Sequence, residues 1–302
     1  MFARIGFLSK TVASQARQPG ARKNFLIFGK KGNMFHVHAF NPHPLLRQYV
    51  DAYLVVSVDQ AESNYIEYIF LPHVTQCLVF GLDTGNTVYS CNQWAYCAPH
   101  FISGPHDAVR RVRLFPGMKK IVVHFKPGGL FRIFHLPAQY FNNCSRDATV
   151  FLGKKIKDLA GLLRNSPLSR SIELMDDWLT GEIQLQKKSI RNMDEVIRLI
   201  ELYKGNISIS ELEQATFTTK RTLERHFLEQ FGLHPKTFSR LVRFNGVIRS
   251  LESNLNVKWR QLADAFGYYD QSHFIHEFKN LTGGLPQDYA TLKSGFEKIM
   301  PA

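Results

Sequence analysis

The chain has 302 residues, 44% of them hydrophobic, with a formal net charge of +13 and a pI near 9.6. This length suits about two domains of roughly 150 residues each. With no apolar run long enough to span a bilayer and no secretory signal, we expect a cytosolic protein that makes no membrane contact. Four cysteines without a CxxC pair argue against a zinc knuckle and a disulfide framework. The positive charge makes nucleic acid a candidate partner without specifying it.

Residues 1–33 are the most basic segment, with seven basic and no acidic side chains. This composition suits a mitochondrial transit peptide, and it equally suits a disordered basic arm. A third alternative is an upstream start codon, with Met34 as the true first residue, because MFHVHAFNPHPLLRQYV resembles the opening of a folded domain. We therefore treat residues 1–33 as an arm outside the folded domains and keep the three alternatives open.

Residues 34–188 are predicted to form one domain that begins with strands and ends with helices. The runs YLVVSV, YIEYIFL, QCLVFGL and KKIVVHF are separated by Gly, Pro, Asn and Asp, a pattern typical of a small barrel or sandwich. From about residue 128 the pattern becomes helical, with two apolar stripes that predict packing surfaces. The stripes are Ile156, Leu159, Leu162 and Leu163, and then Ile172, Met175 and Leu179.

Three histidines near the start of this domain raise the question of a metal site. His36, His38 and His43 lie close together, and cupin enzymes bind metal through an HxH pair with a later Glu and a further His. Here the next glutamate is Glu62, beyond the first predicted strand. Three histidines without a placed carboxylate do not define a site, so a structural or surface role is the better interpretation.

Residues 189–295 are predicted to form a second, all-helical domain that contains an internal repeat. A helix over residues 189–203 ends at the segment GNIS. Five positions then recur at an offset of 51 residues, which is hard to obtain by chance. They are Leu223, Phe227, Gly232, Pro235 and Phe238, repeated as Phe274, Phe278, Gly283, Pro286 and Tyr289. Each copy follows a short helical stretch and a tight turn, which predicts two helix-turn-helix units.

The polar faces of the two repeated helices carry the candidate binding residues. With the apolar pair inward, the first helix exposes Lys220, Arg221, Glu224 and Arg225, and the second exposes Gln271, Ser272, His273, Ile275 and His276. Thr219 and Asp270 are predicted N-caps. Arg matches the acceptors of guanine and Gln the edge of adenine in the major groove. A merely solvated face is the better interpretation of one such helix, but two copies about 34 Å apart would meet successive major grooves.

At this point the sequence resembles a known family, the AraC/XylS-type bacterial transcription regulators. Residues 190–292 carry the resemblance through TLERHF, FGLHPKTF, the RFN segment at Arg243 to Asn245, and GYYDQSHFIHEFKNLTGGLPQDY. The resemblance implies two helix-turn-helix modules on double-stranded DNA, joined by a long helix at about Lys236 to Asn254. The DNA-facing positions that it implies are Arg221, Glu224, Arg225, Gln271, Ser272, His273 and His276.

His276 departs from the family pattern, in which Arg is often present. The second module is therefore expected to bind more weakly or to recognise a different base. Because exposed imidazoles titrate near pH ~6.5, one hypothesis is that DNA affinity rises modestly toward pH 6. The alternative is that His276 only donates a hydrogen bond to a phosphate or water.

The front domain resembles the cupin-like N-terminal domain attached to some of these regulators. The segments HFKPGGLFRIFHLPAQYFNN and LPHVTQCLVFGL carry this looser resemblance, which implies effector binding or dimerisation. An unidentified small effector, RNA polymerase and a second copy of the chain stay open as partners.

The sequence as a whole favours a binding protein over an enzyme. Asp270, Ser272 and His273 fall in one helical turn, where side chains point about 100° apart and cannot form a catalytic triad. The predicted fold is α+β, and the predicted function is sequence-specific DNA binding by a transcription regulator with no catalytic, cofactor or metal residues. The alternatives are a cupin-like metal-dependent enzyme and a cysteine methyl-acceptor repair protein, each fused to a DNA-binding domain. The cysteines lack the clustering that an activated thiolate needs.

Overall fold

The computed structural model describes residues 23–28, 34–60, 64–83, 87–90, 94–184, 193–253 and 258–288. The described chain is β-rich as far as residue 147 and helical from there on, which confirms the predicted α+β class. Among the described residues, no helix combines the length and the apolar character that crossing a membrane requires.

The strands of the described residues form two antiparallel sheets. Their bounds are β1 Lys23–Phe28, β2 Met34–Phe40, β3 Val50–Gln60, β4 Ile66–Phe70, β5 Gln76–Gly81, β6 Thr87–Ser90, β7 Trp94–Tyr96, β8 His100–Ser103, β9 Arg110–Leu114, β10 Lys119–Phe125 and β11 Ser145–Asp147. The larger sheet has the order β1-β2-β3-β10-β5-β8-β11, and the smaller has the order β4-β9-β6-β7. The two sheets give the sandwich that the alternating strands predict.

The two faces of the larger sheet belong to two different cores, because successive side chains of a strand point to opposite faces. On β10, Ile121 and Val123 pack with the helices that follow the sheet, while Val122 packs with residues between the two sheets. On β3, Leu54 and Val56 lie on the face that is turned to the smaller sheet. The space between the sheets is therefore lined from both sides.

Four helices cover the outer face of the larger sheet: α1 Gly129–Phe134, α2 Ala148–Leu152, α3 Lys155–Arg164 and α4 Leu168–Gln184. The predicted stripes are confirmed at Ile156, Leu159, Leu163, Met175 and Leu179, all of which are buried in that core. Leu162 was wrongly included in the first stripe and is 55% exposed. It lies on the solvent side of α3, next to residues that pack.

The second domain consists of helices α5 Asp194–Leu202, α6 Ile209–Thr216, α7 Lys220–Phe231, α8 Pro235–Ser253, α9 Trp259–Ala265 and α10 Gln271–Thr282, followed by a 3₁₀ turn at Pro286–Asp288. The predicted long connecting helix is α8. Gly232 and Gly283 end α7 and α10 at φ values of 75° and 76°, a left-handed conformation that favours glycine. Leu223, Phe227, Phe274 and Phe278 are all buried, as the repeat predicts.

The two domains contact each other through the end of α7 and the segment 71–76. The Gln76 side chain donates a hydrogen bond from Nε2 to the Gln230 carbonyl oxygen at 3.0 Å. The Phe231 ring lies against Gly128, where a Cβ atom would approach it to 2.9 Å. Leu71 and Val74 pack against the core of the helical domain. The first helix-turn-helix module is thus directly attached to the sandwich.

The predicted domain boundaries fall largely outside the described residues. Within the predicted basic arm, residues 23–28 form β1 and pair with β2. Residues 1–22 and 29–33 lie outside the described part, as does the boundary at 188/189. The alternatives for the arm and the boundaries therefore stay predictions.

Candidate nucleic-acid interface and internal cavity

Helix α7 presents the first set of predicted DNA-facing residues. Thr219 is confirmed as its N-cap, since the side chain accepts a hydrogen bond from the Thr222 backbone N–H. With the apolar side of α7 buried, Lys220, Arg221 and Arg225 are exposed, whereas Glu224 is half-buried. The Glu213 carboxylate on α6 accepts a hydrogen bond from the backbone N–H at the start of α7, which fixes the turn between the two helices.

Helix α10 presents the second set in the same way. Asp270 is confirmed as its N-cap and accepts a hydrogen bond from the His273 backbone N–H at 2.7 Å. The exposed positions are Gln271, Ser272, His273 and His276. The prediction that Ile275 is exposed was wrong, because its side chain is partly buried against the core. Ile275 occupies the position on α10 that corresponds to the half-buried Glu224 on α7.

A buried ion-pair cluster fixes α10 against α8. The Glu277 carboxylate is 6% exposed and accepts hydrogen bonds from the Arg243 guanidinium at 3.0 and 3.1 Å. Arg240 donates to the same carboxylate at 3.4 Å, and the Tyr268 hydroxyl donates at 3.2 Å. Burial and the nearby Glu277 charge raise the pKa of Tyr268 well above its usual value, so its hydroxyl stays a donor. Both helices therefore have fixed N-terminal ends, whose dipoles and side chains suit phosphates and base edges.

Between the two sheets lies an internal cavity of about 670 Å³ that opens toward the helical domain. Its wall is mostly apolar, and the rim includes residues of both α5 and α8. The apolar wall includes Leu54, Val56, Phe70, Val79, Phe101, Val112, Leu114, Met118 and Val122, and the helical rim consists of Asp194, Ile197, Glu201, Asn245, Ile248 and Arg249. A cavity of this size and lining is typical of a small-molecule site.

One end of the cavity holds a cluster of histidines around Arg110. Its guanidinium donates to Ser103 Oγ at 3.3 Å and to Ser145 Oγ at 3.0 Å, and lies 2.5 Å from His106 Nε2. His106 Nδ1 bonds the Gly104 carbonyl at 2.9 Å, which leaves Nε2 as the acceptor for arginine. Burial and then Arg110 lower the pKa of His106 to about 3.

Further polar groups that line the cavity include His73, His124, Asp51 and Lys120. Burial, followed by its basic neighbours, lowers the pKa of His73 well below its usual value. His124 Nδ1 lies 3.4 Å from an Asp51 carboxylate oxygen. Lys120 is 5% exposed, its ammonium nitrogen lies 5.3 Å from the Phe101 ring centroid, and burial lowers its pKa.

The sequence prediction missed this polar cavity, although a signal for it is present. In the strand KKIVVHF, Lys120, Val122 and His124 share one face by the period of two, and that face is buried. Charged residues on the inner face of a strand are unusual in a plain core and indicate a site. The alternation shows that the residues share a face, but it does not show which face is turned inward.

The three histidines considered for metal binding lie apart from the cavity. His36 and His38 lie on the opposite face of β2 from the buried Val37, and His36 Nε2 pairs with Asp59 at 3.0 Å. The His43 side chain accepts from the Leu45 N–H at 3.4 Å, at the start of the 3₁₀ turn Pro44–Leu46. Across the described ranges, no group of three or more His, Cys, Asp or Glu side chains is placed to hold a metal ion.

Two of the described cysteines, Cys77 and Cys97, do not provide the activated thiolate of a repair protein. Cys77, Cys97 and Cys144 are free thiols, and Cys91 lies outside the described residues. Burial raises the pKa of the Cys77 thiol to about 12 and also raises that of Cys97. A thiol with a raised pKa stays protonated and is a poor nucleophile.

Comparison with known proteins gives two matching families and several similar folds. Residues 212–291 match a helix-turn-helix domain, and residues 38–146 match a domain of unknown function (DUF6597). No curated protein sequence matches the chain. Among solved structures, ToxT from Vibrio cholerae is 14% identical with a TM-score of 0.44, over 76% of this chain and 95% of that one.

Two further solved structures are less similar. The AraC-like transcriptional activator CuxR is 13% identical with a TM-score of 0.31, over 95% of this chain and 91% of that one. A variant of 2-hydroxyethylphosphonate dioxygenase is 9% identical with a TM-score of 0.24, over 76% of this chain and 54% of that one.

The helix-turn-helix match and the observed modules agree on the second domain. The match includes α7 and α10, which carry the predicted DNA-facing residues, and the long α8 between them. The chain therefore carries an AraC-type helix-turn-helix domain behind a domain of unknown function (DUF6597), and the helix-turn-helix domain supports a DNA-binding transcription regulator.

Proposed function

We propose that this regulator recognises a specific operator by placing the N-terminal ends of α7 and α10 in successive major grooves of double-stranded DNA. One observation supports this proposal most directly. Two N-capped helices, each held by buried apolar residues, expose polar side chains at equivalent positions 51 residues apart. A purely structural repeat has no need to keep the same face open twice.

The exposed side chains suit direct readout of bases. Arg221 and Arg225 offer guanidinium groups for guanine, and Gln271 offers an amide for adenine. Further donors for bases or phosphates come from Lys220, Ser272, His273 and His276. Glu224 is half-buried and therefore less accessible to DNA than the exposed positions. These contacts bind DNA without chemical turnover, so the proposal assigns no catalytic residue.

The cavity is proposed as the site through which a small effector controls DNA binding. Its rim includes Ile197 on α5 and Ile248 on α8, so an occupant would touch the helix that connects the two modules. A ligand shifts an equilibrium only by binding two states with different affinity. A ligand that contacts both domains can bind with different affinity to two arrangements of these domains.

RNA polymerase and a second copy of the chain stay predicted partners, and a cytoplasmic location is proposed with the DNA-binding function.

The DNA-binding proposal is tested by selecting bound sequences from a random double-stranded library with the purified full-length protein. We expect one motif with two conserved blocks about 10 base pairs apart, since the two helices would enter successive major grooves. Arg225→Ala should relax one base position at a cost of about 1–3 kcal/mol. Arg170→Ala, which removes an exposed arginine of the sandwich domain, should leave the motif unchanged. An unchanged motif with Arg225→Ala at fixed salt would contradict the assignment.

A further inference from the structure

The Lys120 side chain is the least expected feature of the cavity wall. It is buried to 95% on the inner face of β10, in a wall otherwise dominated by aliphatic and aromatic side chains. Apart from the Phe101 ring, the residues that the structure describes offer its ammonium group no hydrogen-bond or ion-pair partner. Lysine is almost never fully buried without such a partner, because burying an unpaired charge is costly.

The nearest candidate counter-charges are already engaged or lie elsewhere. The charge of the Asp83 carboxylate acts to raise the pKa of Lys120, but this carboxylate accepts a hydrogen bond from the Lys119 backbone N–H. Asp51 lies beside His124, and the Cα atoms of His124 and Lys120 are roughly 13 Å apart because the two residues lie four positions apart on β10. The acidic rim residues belong to the helical domain at the open end of the cavity.

The interior of the cavity has an excess of positive charge. Among the described residues that line the cavity, Lys120 and Arg110 are both about 95% buried, and one carboxylate, that of Asp51, is buried. His73 and His106 add no charge near neutral pH, because burial keeps both imidazoles neutral. An anionic group would therefore be attracted into the cavity, and this attraction is strong where water is excluded.

The space beside Lys120 is apolar. Register places Val56 opposite Lys120 on β3, and Leu54 opposite Val122, one pair further along the sheet. Val79 pairs with Val122 from the other side, on β5. A molecule bound at Lys120 would therefore extend along an aliphatic channel toward the rim.

We propose that the cavity binds an organic anion with one oxyanionic head group and an apolar body, the head at the Lys120 ammonium and the body along Val122 and Leu54 toward the helical rim. Binding itself does not depend on DNA recognition, because Lys120, Val122 and Leu54 all belong to the sandwich domain. Its regulatory consequence, a change in DNA affinity, rests on the function proposed above.

The test compares three probes that share an eight-carbon chain and differ in the charge of the head group: octanoate, octanamide and octylammonium. Calorimetric titration of the purified full-length protein should show octanoate binding at least tenfold more tightly than octanamide, with octylammonium weakest. In Lys120→Met, octanoate and octanamide should bind with equal affinity, because the charge is removed and the volume is nearly kept. Lys120→Gln repeats the test with a polar side chain, in case the methionine variant does not fold.

Lys119→Met is the matched control, since Lys119 is the neighbouring residue of the same strand but is exposed. It should keep the full preference for octanoate. Equal binding of octanoate and octanamide to the wild type, absence of octanoate binding, or a preference that survives Lys120→Met and Lys120→Gln would each overturn the proposal. DNA binding is measured separately with the selected operator. A protein that binds octanoate through Lys120 but selects no DNA would contradict the proposed function and leave the anion site standing.

Discussion

Glu277 holds α10, the proposed second recognition helix, against α8. Its carboxylate is buried and receives hydrogen bonds from Arg243, Arg240 and Tyr268. Glu277→Gln should lower the free energy of unfolding by about 3 kcal/mol, because it leaves the largely buried Arg243 guanidinium without its counter-charge. Urea denaturation of the full-length protein measures this change.

Glu173→Gln is the control for that substitution. Glu173 forms its ion pair with Arg170 on the surface, with both side chains more than half exposed. Exposed pairs contribute about 0–1 kcal/mol, so this variant should unfold close to the wild type. If the two variants lose equal stability, the cluster around Glu277 is not what holds α10 in place.

His276 occupies an exposed position of α10 equivalent to Arg225 on α7. His276→Arg should tighten operator binding several-fold. The slope of log affinity against log salt concentration should become steeper by about one, because the full positive charge of arginine releases about one more counterion from the DNA. Fluorescence anisotropy with labelled operator at several salt concentrations measures both quantities. His234→Arg, an exposed histidine before α8, provides the comparison, and an equal effect there would indicate general electrostatic attraction without a specific contact.

Single residues were predictable where local chemistry decides their role. Thr219 and Asp270 are N-caps because short polar side chains satisfy the free backbone donors at a helix start. The burial of Glu277 and Lys120 was not predictable in this way, since each is enclosed by strands or helices distant in sequence. Ile275 shows the same limit, because the width of the buried side of α10 depends on how closely its neighbours approach.

At the level of the elements, one glycine allows helix α8 to pack closely against Phe266. Gly246 lies in its interior, and a Cβ atom there would approach the Phe266 ring to 2.4 Å. Gly246→Ala should therefore lower the free energy of unfolding by about 1–3 kcal/mol through overpacking, although alanine favours helices over glycine by about 1 kcal/mol. Thermal unfolding of the full-length protein measures the change.

Gly161 on α3 is the matched control for Gly246. No atom lies within 4 Å of the Cβ position there, so Gly161→Ala should stabilise the protein by up to about 1 kcal/mol. Stabilisation by both substitutions would mean that the packing of α8 against Phe266 is loose. In that case α8 would not fix the spacing of the two modules as tightly as the structure indicates.

The helices of the second domain were predictable as elements because their signals are local and occur twice. Caps, apolar pairs four residues apart and terminal glycines all recur at the 51-residue offset. The order of the strands was not predictable. Strand β10 lies between β3 and β5, although more than 35 residues separate it from either, and only long-range side-chain packing selects that arrangement.

For the whole molecule, the segment 71–76 connects the cavity with the DNA-binding domain. Leu71 and Val74 pack against the helical core, Gln76 donates to α7, and the ring of His73 stacks on His106 at 5.2 Å. Protonation of His73 or His106 would place a positive charge beside Arg110 and next to the segment 71–76 that contacts the helical domain. Stability of the assembled chain should therefore depend on pH.

The sign of this dependence follows from the lowered pKa of His106. An unfolded histidine takes up a proton below about pH 6.5, whereas the folded imidazole, with a pKa of about 3 and with Arg110, His73 and His124 nearby, stays neutral. Above pH 6.5 both states are neutral and the group has no effect. Between pH 6.5 and 3 the unfolded state binds more protons, so the free energy of unfolding falls as the pH falls.

His106→Gln should remove this contribution while keeping one donor for the Gly104 carbonyl and one acceptor for Arg110. Between pH 7.5 and 5.5, the wild type should lose about 1.4 kcal/mol more stability than the variant, which corresponds to one proton taken up on unfolding. Urea denaturation at the two pH values measures the difference, and His234→Gln should respond like the wild type. Equal pH responses of the wild type and His106→Gln would show that the cluster does not connect protonation to the stability of the molecule.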